Sequence, residues 1–249
     1  MRLHVPSDFV WIRSGRRLAL VHEAATPCLK VLLLTVPHGC ALGGVPLGGG
    51  RGGTYRITLD RGEVVVMRFY RRGGLLAHLV RDTYWDWPAR PFVELATTAE
   101  ARRRGVPVPE VLGARIDRLW NGSYRGALVT RHLEATETLW ERLKRTPDAE
   151  RRRVLSREAG HAVRALWEAG VYHPDLNLNN CIVREEDGGL QVFVVDFDRA
   201  RVRQTALGEA PRQRVLRRLE RSARKLDPEG KVVGAEELCA LRKACGSSG

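Results

Sequence analysis

The stretch His173-Pro174-Asp175-Leu176-Asn177-Leu178-Asn179-Asn180 gathers groups that can do chemistry: the Asp175 carboxylate, and the Asn180 amide five residues further on. Asp and Asn side chains present oxygen ligands suited to a hard divalent cation, and a carboxylate can also take a proton from a hydroxyl. Sixteen residues beyond Asn180, an apolar run ends in Asp196-Phe197-Asp198. A carboxylate at a strand end, one hairpin away from the first, can bind a metal that bridges nucleotide phosphates. The plain alternative is that Asp175 and Asn180 make turn hydrogen bonds and Asp196 caps a strand. The order, the separation and the intervening hairpin favour the chemical reading.

Elements that could position these groups follow from periodicity. Residues 18–22, 29–36, 55–59 and 63–70 are short apolar or alternating runs separated by Gly and Pro, read as strands of a small antiparallel sheet. Between them, residues 43–53 hold seven glycines, a backbone that approaches something closely or a flexible loop. The period then changes: 91–104 reads as a helix closed by Gly105, and Val106-Pro-Val-Pro109 leads to a new strand. Asn121-Gly122 marks a hairpin, and a lobe boundary falls near Arg131, dividing the chain into 1–130 and 131–249. In 148–169, Leu155, Ala159, Ala162, Val163 and Leu166 fall on one helical stripe. Strands at 181–183 and 192–195 flank Asp187-Gly188-Gly189, and the last helix, about 209–226, has Val215, Leu219 and Leu226 on one side and Arg214, Arg217, Arg218, Arg221 and Arg224 on another. No internal repeat is present.

The 249 residues suffice for one large domain or two small lobes, and 43% hydrophobic with 29% charged residues excludes a collagen-like or low-complexity chain. Forty-two Lys and Arg against twenty-nine Asp and Glu leave +13, which points to a polyanionic partner or substrate, or reflects an Arg-rich composition. Cys28, Cys40, Cys181, Cys239 and Cys245 have no paired spacing, so a reducing cytoplasm is expected, without a zinc site or disulfide framework. No stretch is long and apolar enough to read as an export signal or a membrane span. His78, His132 and His161 lack metal-ligand spacing and read as structural.

The pattern H-x-D-L-x-x-x-N followed by a strand-end Asp is that of kinase catalytic loops, so the chain resembles the protein-kinase-like superfamily. Gly48-Gly49-Gly50-Arg51-Gly52-Gly53 fits the G-x-G-x-x-G of the phosphate-covering loop, and Val64-Val65-Val66-Met67-Arg68 occupies the place of V-A-I-K with Arg68 for the lysine. The run 67–75, the tract 105–109, the loop His173-Pro-Asp-Leu-Asn177, Asp196-Phe-Asp198 in place of D-F-G, and Arg-Leu-x-Arg-Ser-x-x-Lys over 218–225 narrow the resemblance. It is nearest to the bacterial lipopolysaccharide core kinases, especially those acting on 3-deoxy-D-manno-octulosonic acid (Kdo), and covers about residues 46–226.

What the resemblance implies is an α+β, two-lobed protein-kinase-like fold. An N-terminal nucleotide-binding lobe, an antiparallel sheet plus helix, would precede a small, mainly helical C-terminal lobe for catalysis and acceptor binding. ATP and Mg2+ would serve phosphate transfer to a sugar hydroxyl of the lipid A and inner-core precursor, with the protein peripheral on the inner face of the bacterial inner membrane. Asp175 would be the catalytic base, leaving His173 as packing. Asn180 and Asp196 would hold metal; Gly48, Gly50, Arg51, Gly52, Gly53, Arg68 and Glu94 would bind nucleotide, with Glu94 pairing Arg68 and Glu100 as the alternative partner. The phosphorylated glycolipid substrate and the anionic membrane suit the positive charge, and Arg71, Arg72, Gly73 and Gly74 are placed to meet an acidic acceptor. Only about fifty residues follow Asp196, which disfavours an activation segment and a docked protein substrate. The competing readings are a kinase for heptose, an amino sugar or a protein, and a non-catalytic basic module that binds nucleotide or nucleic acid. No nucleic-acid-binding signature supports the last.

Overall fold

The structure is a computed structural model that describes residues 3–40, 43–47, 53–71, 82–186 and 189–246. Two compact units divide the chain, Met1–Ala99 with Glu110–His132, and Glu100–Pro109 with Leu133–Gly249. A single division near Arg131 would leave 100–109 in the first unit. That tract instead joins the second because Ala101, Val106 and Val108 are buried in the second unit's core, and the Val194 amide donates to the Pro107 carbonyl at 2.8 Å.

The first unit opens with β1 (Phe9–Ser14), β2 (Arg17–His22) and helix α1 (Thr26–Leu34). It continues through β3 (Val45–Pro46), β4 (Thr54–Thr58), β5 (Val64–Phe69), the first turns of α2 (Arg90–Arg103), β6 (Val111–Arg118) and β7 (Tyr124–Arg131). The strands form one antiparallel sheet in the order β1-β2-β6-β7-β5-β4-β3. Alternate residues serve opposite faces: Ala19, Val21, Ala127 and Val129 pack with α1, whereas Leu20 and Leu128 pack with Phe92 and Leu95 of α2.

The run 29–36, expected as a strand, is largely helix. A continuous apolar run does not distinguish the two, but Pro27 opens the helix and Leu29, Leu32 and Leu33 recur at helical spacing. Tertiary contacts then close its C-terminus. Fully buried Arg115 donates through Nη1 to the carbonyls of Leu32, Leu33 and Val36 at 3.1, 3.3 and 2.7 Å, and Arg17 to that of Leu34 at 2.7 Å. Cations thus meet the orphan carbonyls at the negative end of the helix dipole.

In the second unit, β8 (Thr136–Thr138), α3 (Leu139–Arg145), α4 (Ala149–Glu168), β9 (Val171–Tyr172), β10 (Cys181–Glu186), β11 (Gly189–Val194), β12 (Arg201–Val202), α5 (Glu209–Leu226) and α6 (Ala235–Ala244) follow in order. Asp148 caps α4, accepting from the Glu150 and Arg151 amides, and the predicted stripe of α4 is buried throughout. The unpredicted α6 has only Leu241 buried among its larger apolar side chains. It is tied down by polar contacts: Glu237 accepts from the Gly234 amide and pairs with Arg152, and Arg242 pairs with Glu220 of α5. Among the described residues, no helix is long and apolar enough to cross a membrane.

Candidate active site

In the second unit the two segments carrying the predicted acidic groups are held side by side at both ends. Helix α4 stops at Gly170, whose φ of +73° suits glycine and where a Cβ would stand 2.5 Å from the Thr205 carbonyl oxygen. Strand β9 follows and pairs with β12, Tyr172 opposite Arg201, so the start of the 173–180 loop lies beside the end of the 195–200 segment. At the other end Cys181 pairs with Val194, and the Val195 amide donates to the Asn180 carbonyl at 2.9 Å. Between these anchors Leu176, Leu178 and Phe197 are buried, and the His173 ring meets Phe197 edge-on at 5.2 Å.

His173 is buried, which holds its pKa below the usual imidazole value, and its Nε2 lies 3.2 Å from the Val195 carbonyl oxygen. The neutral ring with its proton on Nε2 donates that bond, so His173 fastens the two segments together. Asn177 and Asn180 both donate through Nδ2 to the Asp175 carbonyl, at 2.8 and 3.1 Å. That bond orients the Asn180 amide and leaves Oδ1 as its remaining ligand atom. Asp196 is exposed and has a φ of +67°, a left-handed backbone uncommon outside glycine and tolerated best by Asn and Asp. Asn180 and the residue before Asp196 are joined by the Val195–Asn180 backbone hydrogen bond, and the side-chain oxygens of Asn180 and Asp196 are of the type a hard divalent cation such as magnesium takes.

The Asp175 carboxylate is 39% exposed and is flanked by two cations, neither of which has a sequence signal tying it to Asp175. Arg199 Nη1 lies 3.5 Å from Oδ2, and Arg218 Nη2 lies 3.7 Å from Oδ1. Arg199 carries no signal of its own in a chain with 42 Lys and Arg, beyond its place directly after Asp196-Phe197-Asp198. Buried Cys181, its thiol pushed up to about 12 by burial, is no nucleophile.

In the first unit, Arg68 of β5 lies opposite Leu128 and Thr54, and its Nη2 stands 2.5 Å from both Oε1 and Oε2 of Glu94 on α2. Glu94 is 2% exposed; the Tyr70 hydroxyl also donates to it, and the Arg68 guanidinium lies 4.8 Å from the Tyr70 ring centroid. Glu100 is instead held by Arg103 and Arg104, so the partner of Arg68 is Glu94. Gly53, at φ +125°, donates no side chain but accepts from the Phe69 amide at 2.8 Å, and a Cβ there would stand 3.1 Å from Arg71 Nε. Gly48, Gly50, Arg51 and Gly52, with Arg72, Gly73, Gly74 and His78, lie outside the described residues.

The profile of the lipopolysaccharide kinase (Kdo/WaaP) family matches residues 47–235. The chain belongs to that family. As a lipopolysaccharide kinase it is a phosphotransferase acting on a sugar hydroxyl, and kinase chemistry implies ATP as donor. Among relatives, the 3-deoxy-D-manno-octulosonic acid kinase of Vibrio cholerae serotype O1 is 31% identical over 213 residues, covering 83% of each chain. That of Xanthomonas campestris pv. campestris strain B100 is 36% identical over 186 residues, 72% of this chain and 68% of the relative. The solved structure of WaaP in complex with acyl carrier protein matches with a TM-score of 0.56 at 18% identity, over 84% of this chain and 80% of that one. This likeness supports a kinase-like fold for the lipopolysaccharide kinase described here.

Proposed function

We propose that this lipopolysaccharide kinase phosphorylates a hydroxyl of a Kdo residue on the lipid A and inner-core precursor. The observation that carries the reading is the pinning of the Asp175 loop beside Asp196, which leaves an accessible carboxylate next to an oxygen-donor pair. Asp175 orients the acceptor hydroxyl and takes its proton as the oxygen bonds to the γ-phosphorus and the bond from that phosphorus to the departing ADP oxygen breaks. Asn180 Oδ1 and the Asp196 carboxylate are the groups that would hold magnesium, an ion that neutralises charge on the phosphates. In the first unit, Arg68, steadied by Glu94 and Tyr70, is assigned to the nucleotide phosphates, with the 48–53 backbone, Gly48, Gly50, Arg51, Gly52 and Gly53, as their cover. The exposed Arg214, Arg217, Arg221 and Arg224 of α5 are assigned to an anionic membrane surface carrying the glycolipid.

The test is incubation of the purified protein with labelled ATP and Kdo-bearing, heptose-bearing, amino-sugar and protein acceptors. Label is expected on the Kdo-bearing acceptor; label only on one of the others would overturn the assignment.

A further inference from the structure

We propose that Arg199 and Arg218 form a clamp for the carboxylate of the acceptor sugar acid, seating its hydroxyl against Asp175. This inference rests on the reading of a Kdo acceptor and adds to it the group by which that acceptor is recognised.

Two guanidinium groups approach one carboxylate from opposite oxygens, and both contacts, 3.5 and 3.7 Å, are longer than good charge-assisted hydrogen bonds. Each arginine has five N–H donors, so most of the donor capacity remains unspent. The side chains of Arg199 and Arg218 are 67% and 43% exposed, so their forks are open to an incoming molecule. Arg199 and Arg218 supply two guanidinium groups beside the single Asp175 carboxylate they touch, and a planar fork is suited to a second carboxylate. Direction is decided by which part of Asp175 each neighbour meets. Asn180, on the metal side, binds the Asp175 backbone carbonyl, whereas the arginines meet the carboxylate, where an acceptor hydroxyl must arrive. An ulosonic acid carries its carboxylate and hydroxyls on one small ring, so an acid group held by the arginines brings a hydroxyl within reach of Asp175. Arg218 also faces the same way along α5 as Arg214, Arg221 and Lys225, at i−4, i+3 and i+7, which continues the positive surface away from the clamp.

Wild type, Arg199→Gln, Arg218→Gln and Arg218→Lys are compared on the Kdo-bearing lipid A precursor, on the same precursor with the Kdo carboxylate methyl-esterified, and on one with the lipid phosphates removed. On the acid acceptor, each Gln variant is expected to raise the acceptor KM about tenfold or more, the scale of one lost charge-assisted bond, with the KM for ATP held within about twofold. Arg218→Lys should recover part of the loss. Wild type should show the same loss on the ester, and the Gln variants should lose little more there, as expected when both changes remove one contact. Wild type acting equally well on acid and ester would overturn the clamp while leaving the Kdo assignment intact. A variant effect that vanishes with the lipid phosphates instead of the ester would also overturn it, as would a raised KM for ATP. Failure of wild type on both Kdo forms, with turnover of a heptose acceptor, would overturn the acceptor assignment itself. Circular dichroism and melting curves confirm that each variant is folded.

Discussion

Glu94 and Asp175 are both carboxylates met by arginine, yet their settings differ. Glu94 is buried, takes both oxygens' bonds from Arg68 at 2.5 Å and a further one from Tyr70, and has no accessible side left for a ligand. Asp175 is partly open, and its arginines stand further off without closing on it. The first arrangement fixes the position of a cation; the second leaves a carboxylate and two cations open to a ligand, as the base role proposed for Asp175 requires. Charge complementarity is common to both sites, and distance and burial are what distinguish them.

The largest effect should come from removing the open carboxylate. Asp175→Ala is expected to lower turnover roughly a hundred- to ten-thousand-fold, the range of general base catalysis, with ATP affinity and melting temperature nearly unchanged. Asp196→Ala should also abolish transfer, but titration calorimetry should show weakened binding of magnesium-ATP. If Asp175→Ala kept near wild-type turnover, the comparison would fail at its centre.

Opening the closed pair should cost stability as well as rate. Glu94→Ala leaves Arg68 and the Tyr70 hydroxyl without their shared acceptor, a loss of about 1–3 kcal/mol because Arg68 can still reach water. Arg68→Lys should be milder in urea melts, since one ammonium nitrogen can meet both Glu94 oxygens as Nη2 does, yet raise the KM for ATP, because lysine lacks the planar fork assigned to the phosphates.

A half-buried histidine near the sheet carries the contrast into pH. His38 has Asp82 and Asp117 at 3.7 and 3.8 Å, but these acids are engaged by Arg125, Arg17 and Arg115. Burial prevails and lowers the His38 pKa to about 4 from 6.5. Because the unfolded chain binds the proton more readily, stability is complete above pH 6.5 and is lost as pH falls toward 4, by up to about 3 kcal/mol. Burial of His173 acts in the same direction. His38→Gln should flatten the stability profile over this window; an unchanged slope would show that other groups control it.

The smallest effect concerns the exposed arginines of α5. Changing Arg214, Arg217 and Arg221 together to Gln should raise the glycolipid KM a few-fold without altering the KM for ATP. Wild-type activity on glycolipid should fall past about 0.15 M salt, where the screening length is about 8 Å, more steeply than activity on a soluble Kdo-bearing sugar without the lipid. Equal salt curves would remove α5 from the membrane assignment.

Asp175, Asn180 and Asp196 were legible in the sequence because their spacing is a local property, set by one loop and one hairpin. The helical stripe of α4 and the alternation of the sheet were legible for the same reason, since 3.6- and 2-residue periods need no distant contact. The apolar run left Leu29–Leu34 open between strand and helix; Pro27 and the leucine spacing favour helix, and tertiary structure settled it by closing its carbonyls with Arg115 and Arg17 from strands elsewhere in the chain. The contacts agree with Glu94, the partner the resemblance names first, over Glu100, which lies six residues on along the same helix and is held by Arg103 and Arg104. The gathering of Arg199 and Arg218 around Asp175 was decided by tertiary structure alone: an exposed arginine has no local preference that names its partner, and only the packing of α5 and the strand-end turn brings these charges to one carboxylate.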